Sequence, residues 1–254
     1  MTSLKAEIWR QIYLYKRYPF SYFSDFILLI LMFMAIFFSG SLAGGEIIGK
    51  TLNALVIGYV LWTLIQNTIS QMGTGIANQM QNGILEQQFL MPISFKRLFF
   101  NKIVVNIVSS AIQAFLALII IMMITNNWIK FSLITVLPFF LALLVTVGLG
   151  YLIVSLVLKF KRIGSSLVIF QYVYLGILLI NFENYPLSIK YLSCLLPICP
   201  MVSWMRLIVN QRTYNFSFYL MASLFNAILW LVIGLFIFEI TNQKVRKAGS
   251  LATY

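Results

Sequence analysis

Residues that could do catalytic chemistry are sparse in this 254-residue chain, which has no histidine and only six acidic side chains. Histidine-based triads are therefore impossible, and the scattered carboxylates offer no acid–base pair. Residues 44–51 do match the phosphate-loop pattern G-x-x-x-x-G-K-[ST]. However, they join two apolar segments instead of a strand and a helix, and no aspartate follows Asp25 to help hold magnesium. We therefore expect no enzyme activity and no cofactor on this chain.

Two cysteines, Cys194 and Cys199, lie in one short stretch. Two buried free thiols are the favoured interpretation, because cysteine is among the most often buried residues. The alternative is an external disulfide that closes a short loop. Without histidine or further cysteines, we expect no metal site.

The composition places the chain in a membrane. It is 61% hydrophobic and 9% charged, whereas soluble domains carry about 25% charged residues. Six segments are long and apolar enough to cross a bilayer, which takes about 20 residues each. They are residues 22–39, 52–69, 103–124, 131–158, 163–182 and 216–240. Because these segments are apolar all round, they predict helices and not a barrel. The predicted fold is an all-α membrane protein, a single transmembrane domain over residues 1–254.

The net charge of +12 follows the predicted topology. Most lysines and arginines fall on one side of a six-span arrangement, which by the positive-inside rule is the cytoplasmic side. Both termini are then cytoplasmic in a multi-pass protein. The positive charge therefore indicates orientation in the bilayer and not a nucleic-acid surface.

Two further elements accompany the spans. Residues 1–19 predict an interfacial helix, with Leu4, Ile8, Ile12 and Tyr15 on one face and basic residues toward the headgroups. Residues 183–215 contain an apolar run that is too short to span and is broken by prolines. An outer re-entrant hairpin before the last span fits this pattern, provided that protein covers its non-helical backbone.

Polar stripes run along the second and third spans. The first stripe contains Tyr59, Thr63, Asn67 and Ser70, and the second contains Asn106, Ser110 and Gln113. Hydrogen bonds between helices are the favoured interpretation, because the groups are small and uncharged. The alternative is a polar pathway through the membrane.

A cytoplasmic connector, residues 75–102, separates the second and third spans. Residues 83–94 read Gly-Ile-Leu-Glu-Gln-Gln-Phe-Leu-Met-Pro-Ile-Ser, and Lys102 opens the third span. The segment resembles the permease subunits of type-2 ABC exporters, in which a G-T-L-E-Q…P-V-S…G-K segment occupies this place. The matching residues are Gly83, Leu85, Glu86, Gln87, Pro92, Ser94 and Lys102. Ile84, Ile93 and Asn101 depart mildly from the pattern.

The resemblance implies a coupling helix in this connector, docked on a separate ABC ATPase subunit that holds ATP and magnesium. The coupling residues would be Gly83, Leu85, Glu86, Gln87, Phe89, Leu90 and Pro92. Leu85, Phe89 and Leu90 would fill a groove of the ATPase, and Glu86 would pair with a basic residue there. The alternative is that Leu85 and Phe89 lie among the lipid headgroups.

The resemblance also implies a bacterial plasma-membrane exporter that pairs with a second permease copy, which we expect to be identical. In this family the first and fifth spans face the pathway. The candidate pathway residues are Asp25, Phe170, Gln171, Tyr174 and Asn181. Such a lining suits amphipathic or hydrophobic cargo: a peptide toxin such as the phenol-soluble modulins of staphylococci, a lipid-like molecule or a drug. The alternatives are a polysaccharide or lipid-linked glycan exporter, an ion channel or secondary transporter, and a passive scaffold.

Overall fold

The computed structural model describes residues 2–42, 52–89, 94–160 and 163–248, and all regular structure in these ranges is helical. The helices are α1 (Thr2–Arg17), α2 (Pro19–Leu42), α3 (Leu52–Thr68), α4 (Gly75–Gln81), α5 (Ile84–Phe89), α6 (Phe95–Thr125), α7 (Val136–Phe160), α8 (Gly164–Leu179), α9 (Leu187–Ser193), α10 (Cys199–Val209) and α11 (Phe216–Ala248). A π-helical turn, Ile69–Thr74, joins α3 to α4. The short 3₁₀ turns Leu133–Thr135 and Phe182–Asn184 lie before α7 and after α8. The prediction of an all-helical membrane protein is confirmed.

Five helical segments are long and apolar enough to cross a membrane. They are Pro19–Ser39, Leu52–Gln81, Phe95–Thr125, Leu133–Phe160 and Phe216–Val245. The remaining predicted span, residues 163–182, forms the apolar helix α8, which has only 16 residues. At 1.5 Å per residue this helix is about 24 Å long, which is shorter than the roughly 30 Å hydrocarbon layer. The chain therefore has five long apolar helical segments and one short one.

Helices α3 and α7 form the centre of the bundle, and most of their side chains are buried. Helix α3 packs against α6, α7, α8 and α10, and α7 packs against α11. By contrast, most of the span in α2 is exposed on the surface of the single chain. The apolar residues Leu4, Ile8, Ile12 and Tyr15 of α1 are also exposed, while Gln11, on the same side of the helix, is buried. These exposed apolar faces are what an interfacial helix and lipid- or partner-facing spans require.

The closest helix crossing joins α7 to α11 at two glycines. A Cβ placed on Gly234 would lie 2.9 Å from Gly148 Cα, and a Cβ on Gly148 would lie 2.7 Å from Leu231 N. Neither distance is compatible with a side chain, so the two backbones touch directly. Small residues at such crossings are how membrane helices gain close packing without a hydrophobic driving force.

The segment before the last span contains two short helices, α9 and α10, and α10 is mostly buried against α3, α7 and α11. The non-helical turn between them is covered by Asn226 of α11. The Asn226 amide donates to the carbonyls of Cys194 at 2.7 Å and Leu196 at 3.0 Å, and its oxygen accepts from Ile198 N at 3.3 Å. Backbone polar groups that have left the helix are thereby satisfied by protein.

Candidate functional site: the coupling segment and the faces of the first and fifth spans

The predicted connector begins as a direct continuation of the second span. Helix α3 runs through the π-helical turn into α4 and ends at Gln81, so the helical segment Leu52–Gln81 has 30 residues. We predicted that the span would end at Ile69 because polar residues become frequent there. Polar side chains such as Gln79 are compatible with a helix, and the helix simply continues beyond the apolar region. π-Helical turns inside α-helices are frequent at functional sites.

Gly83 makes the turn that separates α4 from the predicted coupling helix α5. Its φ of 68° is in the left-handed region that favours glycine. The Gly83 N–H donates to Met80 O at 3.1 Å, and Asn82 N–H donates to Asn78 O at 3.0 Å. These bonds satisfy carbonyls at the end of α4, as in other glycine-terminated helices. The motif glycine therefore has a backbone role.

The buried and exposed side chains of α5 are not the ones that the sequence predicted. Leu85, which we expected to fill a groove of the ATPase, is 0% exposed and packs within this chain. Its neighbour Ile84 is 42% exposed, and Gln87 is also exposed. Burial in the bundle gives Leu85 more apolar contact than a position on the surface, so Leu85 anchors α5 and Ile84 is the apolar group presented outward. Glu86 and Phe89 belong to α5, whereas Leu90 and Pro92 lie outside the described residues.

Lys102 ties α5, the predicted coupling helix, to the third span. Its ammonium group is buried and donates to Gln79 Oε1 of α4 and to Gln88 Oε1 of α5, both at 2.7 Å. It also lies 5.3 Å from the centre of the Phe99 ring, within range of a cation–π interaction. A buried cation needs such partners, because an unpaired charge in the membrane is costly. The motif lysine thus holds α4, α5 and α6 together.

Ser94, the last residue of the motif before α6, is a helix N-cap. Its Oγ accepts from Arg97 N at 3.3 Å, and its backbone is extended with ψ at 133°. Serine is favoured at this position because it satisfies one of the free N–H groups at a helix start. Two residues of the motif therefore have backbone roles: Gly83 makes the turn before α5, and Ser94 caps the start of α6.

The candidate pathway residues do not form one cluster within the single chain. Gln171 and Tyr174 are buried, and the Tyr174 hydroxyl donates to the carbonyl of Pro197. Phe170 is exposed on α8 and stacks on Tyr174 with ring centres 5.5 Å apart. Asn181 is partly buried just after α8, and Asp25 is exposed on α2. Two of the five, Phe170 and Asp25, therefore face outward from different helices.

Aromatic residues of α3 connect those two helices, a feature that the sequence analysis did not single out. The Tyr59 hydroxyl donates to Leu29 O of α2 at 2.5 Å, and its ring lies 5.2 Å from that of Phe33. Trp62 Nε1 donates to Gln171 O of α8 at 2.9 Å. Tyr59 and Trp62 are themselves in contact, with ring centres 5.3 Å apart. A continuous aromatic bridge thus runs from the first span to the fifth.

The polar stripes meet where α3 faces α6. Asn67 Nδ2 donates to Gln113 Oε1 at 2.8 Å, as the favoured interpretation of interhelical hydrogen bonds predicted. Thr63 instead donates to Val60 O within its own helix. Asn106 Nδ2 and Ser110 Oγ are buried and have no hydrogen-bond partner among the described residues. Only some of the stripe residues therefore form hydrogen bonds between helices.

Arg206 is a second buried cation, and the sequence had placed it in the outer hairpin without a role. Its guanidinium donates to three backbone carbonyls, Ala54 O at 2.9 Å and Leu178 O and Ile180 O at 2.7 Å. The last two belong to the C-terminal end of α8, where carbonyls lack helical partners and positive charge is favourable. No local sequence signal marks this role, because the partners are backbone atoms.

Comparison with known proteins is in line with this architecture. A family model described as "ABC-2 family transporter protein" matches residues 49–238. The match covers three quarters of the chain, from the start of the second span into the last, and includes the whole predicted connector, residues 75–102. No curated protein matches the chain.

Proposed function

Because the chain belongs to the ABC-2 transporter family and is therefore the membrane subunit of an ABC transporter, we propose that it exports an amphipathic or hydrophobic cargo. The proposed cargo is a peptide toxin of the phenol-soluble-modulin kind, a lipid-like molecule or a drug. A separate ATPase subunit supplies the energy, and the protein acts in the bacterial plasma membrane with both termini in the cytoplasm. The observation that supports the coupling to an ATPase subunit is the Lys102 cluster, which anchors α5 while Ile84 faces outward.

In this proposal α5 is the coupling helix. Its exposed side, with Ile84 and Gln87, docks in a groove of the ATPase, which is a common way for a short amphipathic helix to bind. Helix α5 packs against α4, and the π-helical turn that leads into α4 packs against α7 and α8. A displacement of α5 on ATP binding would therefore reach the fifth span through packed helices. Two global states biased by nucleotide give alternating access.

The proposed pathway lies between this chain and a second, identical copy. The exposed face of α2 and the exposed aromatic residues of α8, Phe170 and Tyr172, which lie on different sides of that helix, provide its lining. The aromatic bridge through Tyr59 and Trp62 would keep these two faces in fixed relation during transport. Aromatic rings exposed on α8 also suit sugar rings, so polysaccharide export is the second candidate function.

Co-expression with the candidate ATPase subunit tests the coupling assignment. We expect Ile84→Asp to abolish co-purification or to lower ATPase activity at least tenfold, because it places a charge in an apolar contact. Gln243→Asp, at an exposed position of α11, is the matched control and is expected to behave as wild type. Glu86→Ala tests the proposed ion pair. If Ile84→Asp and Glu86→Ala both retain full association and activity, α5 is not the docking element.

A further inference from the structure

A polar cavity of about 110 Å³ lies between α1, α2, α3 and α6. Its wall includes Asp25 of α2, Gln66 and Asn67 of α3, and Asn106 and Ser110 of α6. The cavity is separate from the exposed face of α8. Its polar lining is unusual within an apolar bundle, where each polar group normally finds a partner.

Three atoms in this wall have no hydrogen-bond partner among the described residues: Gln66 Oε1, Asn106 Nδ2 and Ser110 Oγ. Asn106 is 5% exposed and Ser110 is 2% exposed, so lipid and bulk water do not reach them freely. Leaving a buried polar group unsatisfied is costly. Gln66 Oε1 and Ser110 Oγ can each accept a hydrogen bond from a ligand in the cavity that these residues line, whereas Asn106 Nδ2 is a donor and needs a water or another acceptor.

The charged residues around the cavity indicate the sign of the charge that a bound ligand would carry. Asp25 has no ion-pair partner in the described parts of the chain, where the ion pairs are Glu7–Arg10 and Lys96–Glu239. Arg10 of α1 is held by Glu7, to which its Nε donates at 2.8 Å. Asp25 is thus an exposed, unpaired carboxylate at the edge of the cavity. An ammonium group would supply a balancing charge for Asp25 together with N–H donors for Gln66 Oε1 and Ser110 Oγ.

An apolar groove of about 760 Å³ opens beside the polar cavity. It is lined by Ile8 and Ile12 of α1, Phe23 of α2, and Val108 and Ile112 of α6, all of them exposed. The groove and the cavity share Tyr15, Tyr22, Ser109 and Gln113 in their walls. An apolar chain in the groove would therefore have its polar end directly at the cavity.

We propose that each protomer binds a single-chain cationic amphiphile here, with its ammonium group at Asp25, Gln66 Oε1 and Ser110 Oγ and its apolar chain between α1, α2 and α6. The site would admit cargo from the inner leaflet, because α1 lies along that surface in the predicted topology. This inference deepens the proposed export function by naming the chemistry of the cargo, and it rests on that function. Binding is measured without the ATPase subunit, so it can fail while the coupling assignment stands.

The test uses the full chain in phosphatidylcholine nanodiscs and a photoreactive dodecylammonium probe. A dodecanol probe with the same photoreactive group is the neutral control. We expect the dodecylammonium probe to label α2 and the Val108–Ile112 side of α6. Excess dodecanol, added as a competitor, should reduce this labelling little. Asp25→Asn should reduce this labelling about tenfold, as expected when a charge-assisted hydrogen bond is lost. Asp25→Glu should retain it, and Glu239→Gln, which removes an exposed carboxylate elsewhere, should not alter it.

Three results would overturn the proposal. The first is equal labelling of lipid-exposed residues of α11, such as Met221 and Phe236. The second is equal labelling by dodecanol and dodecylammonium, which would identify an ordinary lipid groove and a water-filled cavity. The third is an Asp25→Asn protein that melts like wild type and is labelled as strongly.

Discussion

The ammonium nitrogen of Lys102 lies 2.7 Å from Gln88 Oε1, and this bond joins the third span to the helix that we propose docks on the ATPase. The same nitrogen donates to Gln79 Oε1 at the same distance. Because Lys102 is buried, water cannot easily replace either amide. Helix α5 is therefore held by a charge-assisted link and by the burial of Leu85.

Replacing Lys102 by methionine should loosen this link while keeping an unbranched apolar side chain. Two amide oxygens lose a charged donor, and hydrogen bonds to charged groups contribute about 1.5–3 kcal/mol each. We expect a clear fall in melting temperature in nanodiscs and a loss of cargo-stimulated ATPase activity in the assembled transporter. A double-mutant cycle with Gln88→Leu should show a coupling energy of about 1 kcal/mol or more.

Lys96→Met is the control for this prediction. Lys96 is exposed, and its nitrogen lies 3.8 Å from Glu239 Oε2. Exposed pairs of this kind contribute about 0–1 kcal/mol, so the control should melt within a degree or two of wild type. Similar melting temperatures for Lys102→Met and Lys96→Met would show that the buried link adds little.

Gly58 makes room for the guanidinium of Arg206, so Gly58→Ala should destabilise the protein. The new Cβ would lie 2.5 Å from Arg206 Nη2 and 2.7 Å from Leu178 O. The guanidinium must then move away from carbonyls it now binds, at a cost of about 1–3 kcal/mol for each group left unsatisfied. Gly176→Ala is the matched control in α8, because a Cβ there meets nothing within 4 Å. The melting temperatures of both variants test this prediction. Equal values would show that the hydrogen bonds of Arg206 to the backbone carbonyls add little to stability.

The crossing of α7 and α11 predicts a second glycine effect. Gly234→Ala places a methyl group against the backbone of Gly148, so the two helices must separate. Overpacking of this kind typically costs about 1–3 kcal/mol. We expect lower expression and a lower melting temperature than for Gly164→Ala, where a Cβ meets nothing within 4 Å. A Gly234→Ala protein as stable as that control would show that the crossing adjusts freely.

The features predicted from sequence are those that depend on local pattern. Hydropathy placed the long apolar helices, since a span must be apolar over its length whatever it packs against. The turn at Gly83 also follows from local chemistry. The continuation of the second helix from Ile69 to Gln81 was not predicted, because a helix can extend past the apolar layer without any change in local propensity.

The sequence did not predict which side chains are buried within the bundle. Leu85 and Ile84 are adjacent apolar residues, and only the position of α4 and α6 decides which of them turns inward. Arg206 is similar, because its partners are carbonyls of three distant residues that carry no side-chain signal. Such features depend on tertiary packing, so a sequence pattern alone cannot assign them.

The two cysteines provide a test of the outer hairpin. Both thiols are free in the structure; Cys199 is buried at the start of α10, and Cys194 is partly buried in the turn before it. Burial also raises the pKa of the Cys194 thiol above its ordinary value, although Lys190 opposes the shift. A raised pKa leaves less thiolate at neutral pH, and the thiolate is the reactive form.

We therefore expect N-ethylmaleimide to label Cys194 slowly at pH 7 and distinctly faster at pH 9, and to leave Cys199 unlabelled until the protein unfolds. Ser132→Cys in a Cys194→Ser background supplies an exposed thiol for comparison, and it should react faster than Cys194 at pH 7. Mass spectrometry of the denatured protein, without reductant, should find both native cysteines alkylated. Two cysteines that resist alkylation until a reductant is added would establish the external disulfide instead, and rapid labelling of Cys199 in the folded protein would show that α10 is not packed in the bundle.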